Sequence, residues 1–255
     1  MQEGIVEIRT AAGTMKSFFA RPAQGAAPAV ILFMDVWGIR PELHDIARQV
    51  AARGYCCLVP DLYYRLGIRF EARNAEGRII SVSRLDEALQ AQMEDAIRKT
   101  PNAQVMEDTA ALLRHLENDA TLPRGAVGAF GYCMGGRHAL CAAASFPEHF
   151  KAIASLHGTL LISDKSDSPH RALDRVRAEI YCGFGGDDPH TPPGMIAELA
   201  QLARRHGIDY HDNVHPGAAH GYALPERDVY DKDATARDWR AIFAMFERRL
   251  HPRPA

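Results

Sequence analysis

The chain is most informative first in what it lacks. It has only five cysteines, Cys56, Cys57, Cys133, Cys141 and Cys182, with no C-x-x-C pair among them. That argues against a zinc or redox framework and points to a reducing, cytoplasmic setting. No stretch of 18 residues is apolar and free of charge, so no membrane-spanning helix is expected. The opening MQEGIVEIRT has neither a basic n-region nor an apolar h-region, so no signal peptide is read. No excess of one charge exists either: 30 basic residues face 32 acidic ones, a formal net charge of −2. A nucleic-acid or membrane-surface partner is therefore not expected, and the basic pair Arg248-Arg249 reads as a solvated helix end. H-E-x-x-H and the dinucleotide fingerprint G-x-G-x-x-G are both missing, and GFGGDD at 183–188 lacks the third glycine. His211 and His215 are four apart on a strand-like segment, which makes no metal-binding face. Neither a metal nor a cofactor is expected.

What is present is ordinary globular material, 47% apolar and 24% charged, enough for a large core. Two β-like stretches, Ile5 to Arg9 and Met15 to Ala20, open the chain around the turn Ala12-Gly13. The apolar runs at Pro28–Met34, Tyr55–Val59, Ala126–Gly131, Ala152–Leu156 and Ala178–Phe184 fit strands buried on both faces. Asp209 to Val214 forms a last strand. Helical spacing occupies residues 42–53, about 85–97, about 103–117, 134–145, 194–206 and 234–250. Strands alternating with helices predict a three-layer α/β/α arrangement around a mainly parallel sheet. The expectation is one domain over residues 1–255. Its polar excursion at about 62–103 and its loop at 160–170 would form a lid and pocket walls. Ligands of such sheets bind beyond the carboxyl ends of the strands.

The strand AVGAF runs into Gly131-Tyr132-Cys133-Met134-Gly135-Gly136 and then a helix. This G-x-C-x-G is the cysteine form of the nucleophile elbow of the α/β-hydrolase fold. The flanking residues must be tiny because strand and helix nearly touch. The turn lifts the thiol clear of the sheet and sets it at a helix N-terminus, which favours a thiolate. An acid and a histidine should follow in that order. Past one strand stands Gly185-Gly186-Asp187-Asp188-Pro189-His190-Thr191-Pro192, where G-x-x-D-x-x-x-P selects Asp188 over Asp187. Past the last strand, His215-Pro216-Gly217-Ala218-Ala219-His220 places His220 on the loop before the closing helix. Cys133 as nucleophile, His220 as base and Asp188 as orienting acid are the expected catalytic set. Trp37, Tyr132, His157 and Tyr222 are the pocket candidates, with His190 also near a strand end.

With these residues in view, the chain resembles the dienelactone hydrolase family. The resemblance runs through MDVWGIRPE with Gly38, ARGYCCLVPDLYYR, GYCMGG and PGAAHGY. It implies an esterase or lactonase working through an acyl-enzyme, with the backbone N–H groups of Met134 and Val36 as oxyanion hole. The founding members hold the resting thiol with a glutamate, to which Asp35 corresponds here as the candidate thiol partner. They grip a substrate carboxylate with an arginine four residues past the histidine, where this chain has Leu224. Arg65, Arg69, Arg84 and Arg227 are the available substitutes, each otherwise a surface charge. A small-molecule ester or lactone is the expected partner, with the chain a monomer or homodimer. An esterase for uncharged small esters and a non-catalytic binding module on the same scaffold are the alternatives.

Overall fold

The structure, a computed structural model, describes residues 1–25, 27–119, 122 and 125–251. Eight strands form one sheet: β1 Gln2–Thr10, β2 Gly13–Arg21, β3 Ala29–Phe33, β4 Cys56–Pro60, β5 Val127–Tyr132, β6 Phe150–Leu156, β7 Glu179–Gly185 and β8 Tyr210–His215. Their spatial order is β1-β2-β4-β3-β5-β6-β7-β8. β2 pairs antiparallel with both β1 and β4, and the pairs from β4 to β8 are all parallel. This is the mixed, largely parallel sheet of the α/β-hydrolase fold. β3, β4, β5 and β7 are buried along their whole length, as their unbroken apolar runs require.

The described residues form six α-helices: α1 Pro41–Ala52, α2 Glu87–Arg98, α3 Asn102–Asn118, α4 Met134–Ser145, α5 Pro193–Arg205 and α6 Lys232–Leu250. Two glycines of β5 show that helices lie on both faces. A Cβ on Gly128 would stand 2.7 Å from Leu250 of α6, whereas one on Gly131 would stand 2.2 Å from the carbonyl oxygen of Gly135 in α4. Residues three apart on a strand point to opposite faces, so α6 and α4 sandwich the sheet. α6 is capped by Asp231, whose carboxylate accepts the N–H groups of Asp233 and Ala234. α4 has no side-chain cap at all, and its N-cap residue is Cys133.

The 62–103 excursion holds a 3₁₀ turn at Val82–Arg84 and α2. It is stitched back to the segment after His220: Ile79 N–H donates to Glu226 O and Asp228 N–H donates to Ile79 O. Ile79 and Met93 also pack with Val36 and Trp37 in a small apolar cluster separate from the main core. The excursion therefore braces the loop after β3. No helix among the described residues is long and apolar enough to cross a membrane.

Candidate active site

The bend at Cys133 is built from absent side chains. Besides the clash at Gly131, a Cβ on Gly135 would sit 2.3 Å from Phe33 O, and one on Gly136 2.4 Å from Ser155 Oγ. Only glycine lets α4 start this close to β3, β5 and β6. Cys133 itself adopts φ 55° and ψ −118°, a costly region for a residue with a Cβ. The other two non-glycine residues with positive φ among the described residues, His157 and Leu160, lie in the loop after β6 beside it. Thr159 N–H donates to Cys133 O across that contact, at 3.2 Å. Backbone strain is thus gathered around one sulfur. Cys133 is also the one described cysteine that is not buried.

The loops bearing the acid and the histidine are held together through a second pair of glycines. A Cβ on Gly185 would meet Ala218 O at 2.4 Å, and Gly186 N–H donates to His215 O at 2.8 Å. This close approach brings His220 Nδ1 to 2.7 Å from Asp188 Oδ2. Asp188 Oδ1 accepts the N–H of His190 at 2.8 Å, so both carboxylate oxygens are used and the group cannot rotate. Asp187 is exposed. His220 and Cys133 lie close enough for each to shift the other's titration.

The electrostatics follow from this arrangement. Burial opposes charge on Cys133, but the neighbouring His220 and the N–H of Met134 outweigh it and bring the thiol below its ordinary value. Burial likewise opposes charge on His220, and the Cys133 and Asp188 charges overcome it and raise the imidazole to about 10. Both shifts run toward a thiolate–imidazolium pair, and two groups coupled in this way titrate as a unit. The buried thiols show the contrast: burial pushes Cys56 up to about 11 and Cys141 up to about 12.

The two oxyanion-hole candidates are backbone N–H groups: that of Met134 lowers the Cys133 thiol, and that of Val36 has no acceptor among the described residues although Val36 is buried. Gly38 N–H donates to Asp35 O at 3.1 Å, which fixes the peptide carrying that N–H, and Tyr63 OH and Trp37 N–H hold the next peptide through Val36 O at 3.0 Å and Asp35 Oδ1 at 3.2 Å. Asp35 is not the thiol's partner. Arg40 donates to both its carboxylate oxygens, at 2.6 and 3.2 Å, and then to Glu42, whose other oxygen accepts the N–H of Glu226. The shorter side chain is drawn into this ion chain and leaves the sulfur to His220.

The pocket candidates need correction. Trp37, Tyr132, His157 and Tyr222 are all buried, none more than 2% exposed, so they form the floor and backing of the site. The His157 ring packs edge-on against His220 at 5.0 Å between centroids, and burial pushes it well below its ordinary value. It is a neutral support. His190 packs against the other side of His220, at 4.7 Å. Leu224 is buried. Of the substitute arginines, Arg65 is committed to Asp108 and Arg84 to Asp228, while Arg69 is exposed. Arg227 is not a surface charge. It is 3% exposed, lies over the Trp37 ring at 5.5 Å and approaches Asp35 at 3.7 Å, with Nε and Nη2 unpartnered. Asp188, His190 and His220 present atoms within 4.8 Å of one another, a set that could chelate a divalent ion in competition with the His220–Asp188 contact.

The sequence model of the Dienelactone hydrolase family matches residues 15–250. The chain belongs to the dienelactone hydrolase family. It is accordingly a carboxylic ester hydrolase of that type, with a general ester- or lactone-hydrolysing role. A "Putative carboxymethylenebutenolidase" of Synechocystis sp. is 24% identical over 237 residues, covering 91% of each chain. A "Probable 2-oxo-3-(5-oxofuran-2-ylidene)propanoate lactonase" of Bradyrhizobium sp. is 28% identical over 239 residues, covering 92% of this chain and 89% of that one. Among solved structures, one titled as a putative dienelactone hydrolase from Klebsiella pneumoniae superposes with a TM-score of 0.82 at 23% identity, over 96% of this chain and 98% of that one. Three buried arginines of this dienelactone hydrolase fold escaped the sequence reading: Arg227, read as a surface charge, and Arg40 and Arg137, not singled out. Arg137 carried a usable signal, since it follows Cys133 by one turn of a helix whose other residues are almost all apolar or small.

Proposed function

We propose that the chain hydrolyses a small carboxylic ester or lactone through an acyl-Cys133 intermediate. The observation that carries this reading is the strained, incompletely buried Cys133, coupled electrostatically to a His220 that is anchored on Asp188. The Cys133 thiolate attacks the carbonyl carbon, forming the C–S bond and a tetrahedral oxyanion. The N–H groups of Val36 and Met134 donate hydrogen bonds to that oxygen; each such donor contributes about 3 kcal/mol to lowering the barrier. Collapse breaks the C–O bond, and protonated His220 gives its proton to the departing oxygen. In a lactone that oxygen stays tethered to the acyl group. Neutral His220 then takes a proton from water, hydroxide adds to the thioester, and C–S cleavage returns the thiolate and a carboxylic acid. Asp188 holds the ring orientation through both steps. Residues 1–255 act here as one domain, with the excursion at about 62–103 as its lid.

The test is hydrolysis of 4-nitrophenyl acetate by the wild-type and Cys133→Ala proteins, with intact-mass detection of the acetylated enzyme. We expect the substitution to remove the adduct and lower turnover by at least about 10³-fold. Unchanged turnover would rule the mechanism out.

A further inference from the structure

A cavity of about 380 Å³ opens between the end of α2, the start of α3, the first turns of α4 and the loop after β6. Its walls include Ile97, Asn102, Arg137, Leu160 and Lys165. The residue at its base is unusual. Arg137 is 5% exposed, yet it has no carboxylate partner among the described residues. Its Nε donates to Asn102 Oδ1 at 2.9 Å, and Asn102 Nδ2 donates to Asp167 O at 2.9 Å. Both ends of the Asn102 amide are thus used, and the guanidinium plane is locked. The two terminal amino groups of Arg137 make no hydrogen bond to any described residue, although they belong to a residue lining the cavity. Buried arginines are ordinarily paired, and a planar fork held rigid with its outer edge free matches a carboxylate or phosphate.

The surroundings agree. Three cations line the cavity, Arg98, Arg137 and Lys165, against one carboxylate, Asp167. Arg98 is exposed and already paired with Asp95, and Lys165 is exposed. Burial pushes the Arg137 guanidinium down from its usual value, with Cys141, Cys133 and Asp167 only partly opposing this; the unmet charge has an electrostatic reason to gain an anion. Leu160, 40% exposed and held at φ 54°, supplies an apolar lip. Arg137 stands one turn along α4 from Cys133, about 6 Å in rise. Leu160 directly follows Thr159, which is hydrogen-bonded to Cys133 O.

We propose that this cavity is an oxyanion-recognition subsite, with Arg137 as its specificity-determining residue and a small carboxylate or phosphate group as its occupant. The occupant is either an acidic substituent of the substrate or a free anion. The subsite itself stands on the cavity and the unpartnered guanidinium. Its use by a substrate rests on the acyl-transfer reading above.

Two measurements test it. The first is calorimetric titration of the intact protein with glutarate and with inorganic phosphate, which needs no turnover. We expect saturable binding of at least one anion, weakened tenfold or more in Arg137→Gln and partly restored in Arg137→Lys. The exposed Lys165→Gln change, which does not threaten the fold, should weaken it two- to threefold. No saturable binding to wild type, or equal affinity in Arg137→Gln with native circular dichroism, overturns the subsite. If Arg137→Gln does not fold, equal affinity in Lys165→Gln overturns it. The second is the ratio of kcat/KM for 4-nitrophenyl hydrogen glutarate to that for 4-nitrophenyl pentanoate. A tenfold fall of this ratio in Arg137→Gln identifies the occupant as substrate-borne. An unmoved ratio with anion binding intact identifies a free anion. Binding that depends on Arg137 in a protein that hydrolyses neither ester keeps the subsite and sinks the acyl-transfer mechanism.

Discussion

Two histidine–aspartate pairs sit five residues apart on one segment, and they have nearly the same geometry. His220 Nδ1 lies 2.7 Å from Asp188, and His215 Nε2 lies 2.6 Å from Asp238. Their surroundings differ in every other respect. Asp238 is fully buried and accepts two further hydrogen bonds, from Tyr181 OH at 2.7 Å and Tyr222 OH at 2.6 Å. The remaining nitrogen of His215 accepts from Arg237 Nε at 3.4 Å, so that ring has no free atom left for chemistry. His220 is 16% exposed in its side chain, spends only Nδ1 on its carboxylate and is coupled electrostatically to Cys133. The pair alone does not make a catalytic base; an unspent nitrogen facing a reactive atom does. The sealed pair has a different use, since it ties β7, β8 and α6 together beneath the loop that presents His220.

The largest effect that separates the two should come from His220→Ala. Turnover of an aryl ester is expected to fall by about 10⁴-fold or more, with the urea unfolding free energy within about 1 kcal/mol of wild type. A loss of stability with activity kept would invert the comparison. The complementary change, Asp238→Ala, strands a buried histidine and two tyrosine hydroxyls. It is expected to lower the unfolding free energy by about 3–5 kcal/mol, while turnover well below the melting point stays within about tenfold. Unchanged stability would show that the sealed network does not hold the loop.

The same contrast explains what could be read in advance. The strands expected at Pro28–Met34, Tyr55–Val59 and Ala178–Phe184 appear at Ala29–Phe33, Cys56–Pro60 and Glu179–Gly185, because a strand buried on both faces leaves an unbroken apolar run. The elbow is legible because its glycines answer a local steric demand: the clashes at Gly131 and Gly135 arise within a few residues or against one neighbouring strand. Asp188, favoured over Asp187 by its local spacing to Gly185 and Pro192, is the one whose carboxylate meets His220. Long-range charge pairing leaves no such trace. Asp35 was expected to face the thiol, but Arg40 and Glu42 claim it. Arg227 looked like a surface residue, and only the return of the chain beneath Trp37 and Gly221 buries it. The pocket candidates Tyr132 and Tyr222 sit at strand and loop ends where a pocket was expected, yet packing from α6 and His157 covers them.

The central claim is that Cys133 rests as a thiolate paired with protonated His220. The rate of iodoacetamide alkylation at Cys133, followed peptide by peptide against pH, tests it directly. The folded-state thiol is depressed, so reactive thiolate should persist as pH falls below the ordinary thiol value of about 8.5, and be lost only below the depressed value. Above about 10 the imidazolium gives up its proton, the attraction vanishes, and the pair behaves as a lone thiolate. In His220→Gln, burial is no longer offset and the profile should move upward. The four buried cysteines, none of them depressed, serve as slow internal references. A Cys133 midpoint at or above the ordinary thiol value, or a profile identical in His220→Gln, would contradict the account.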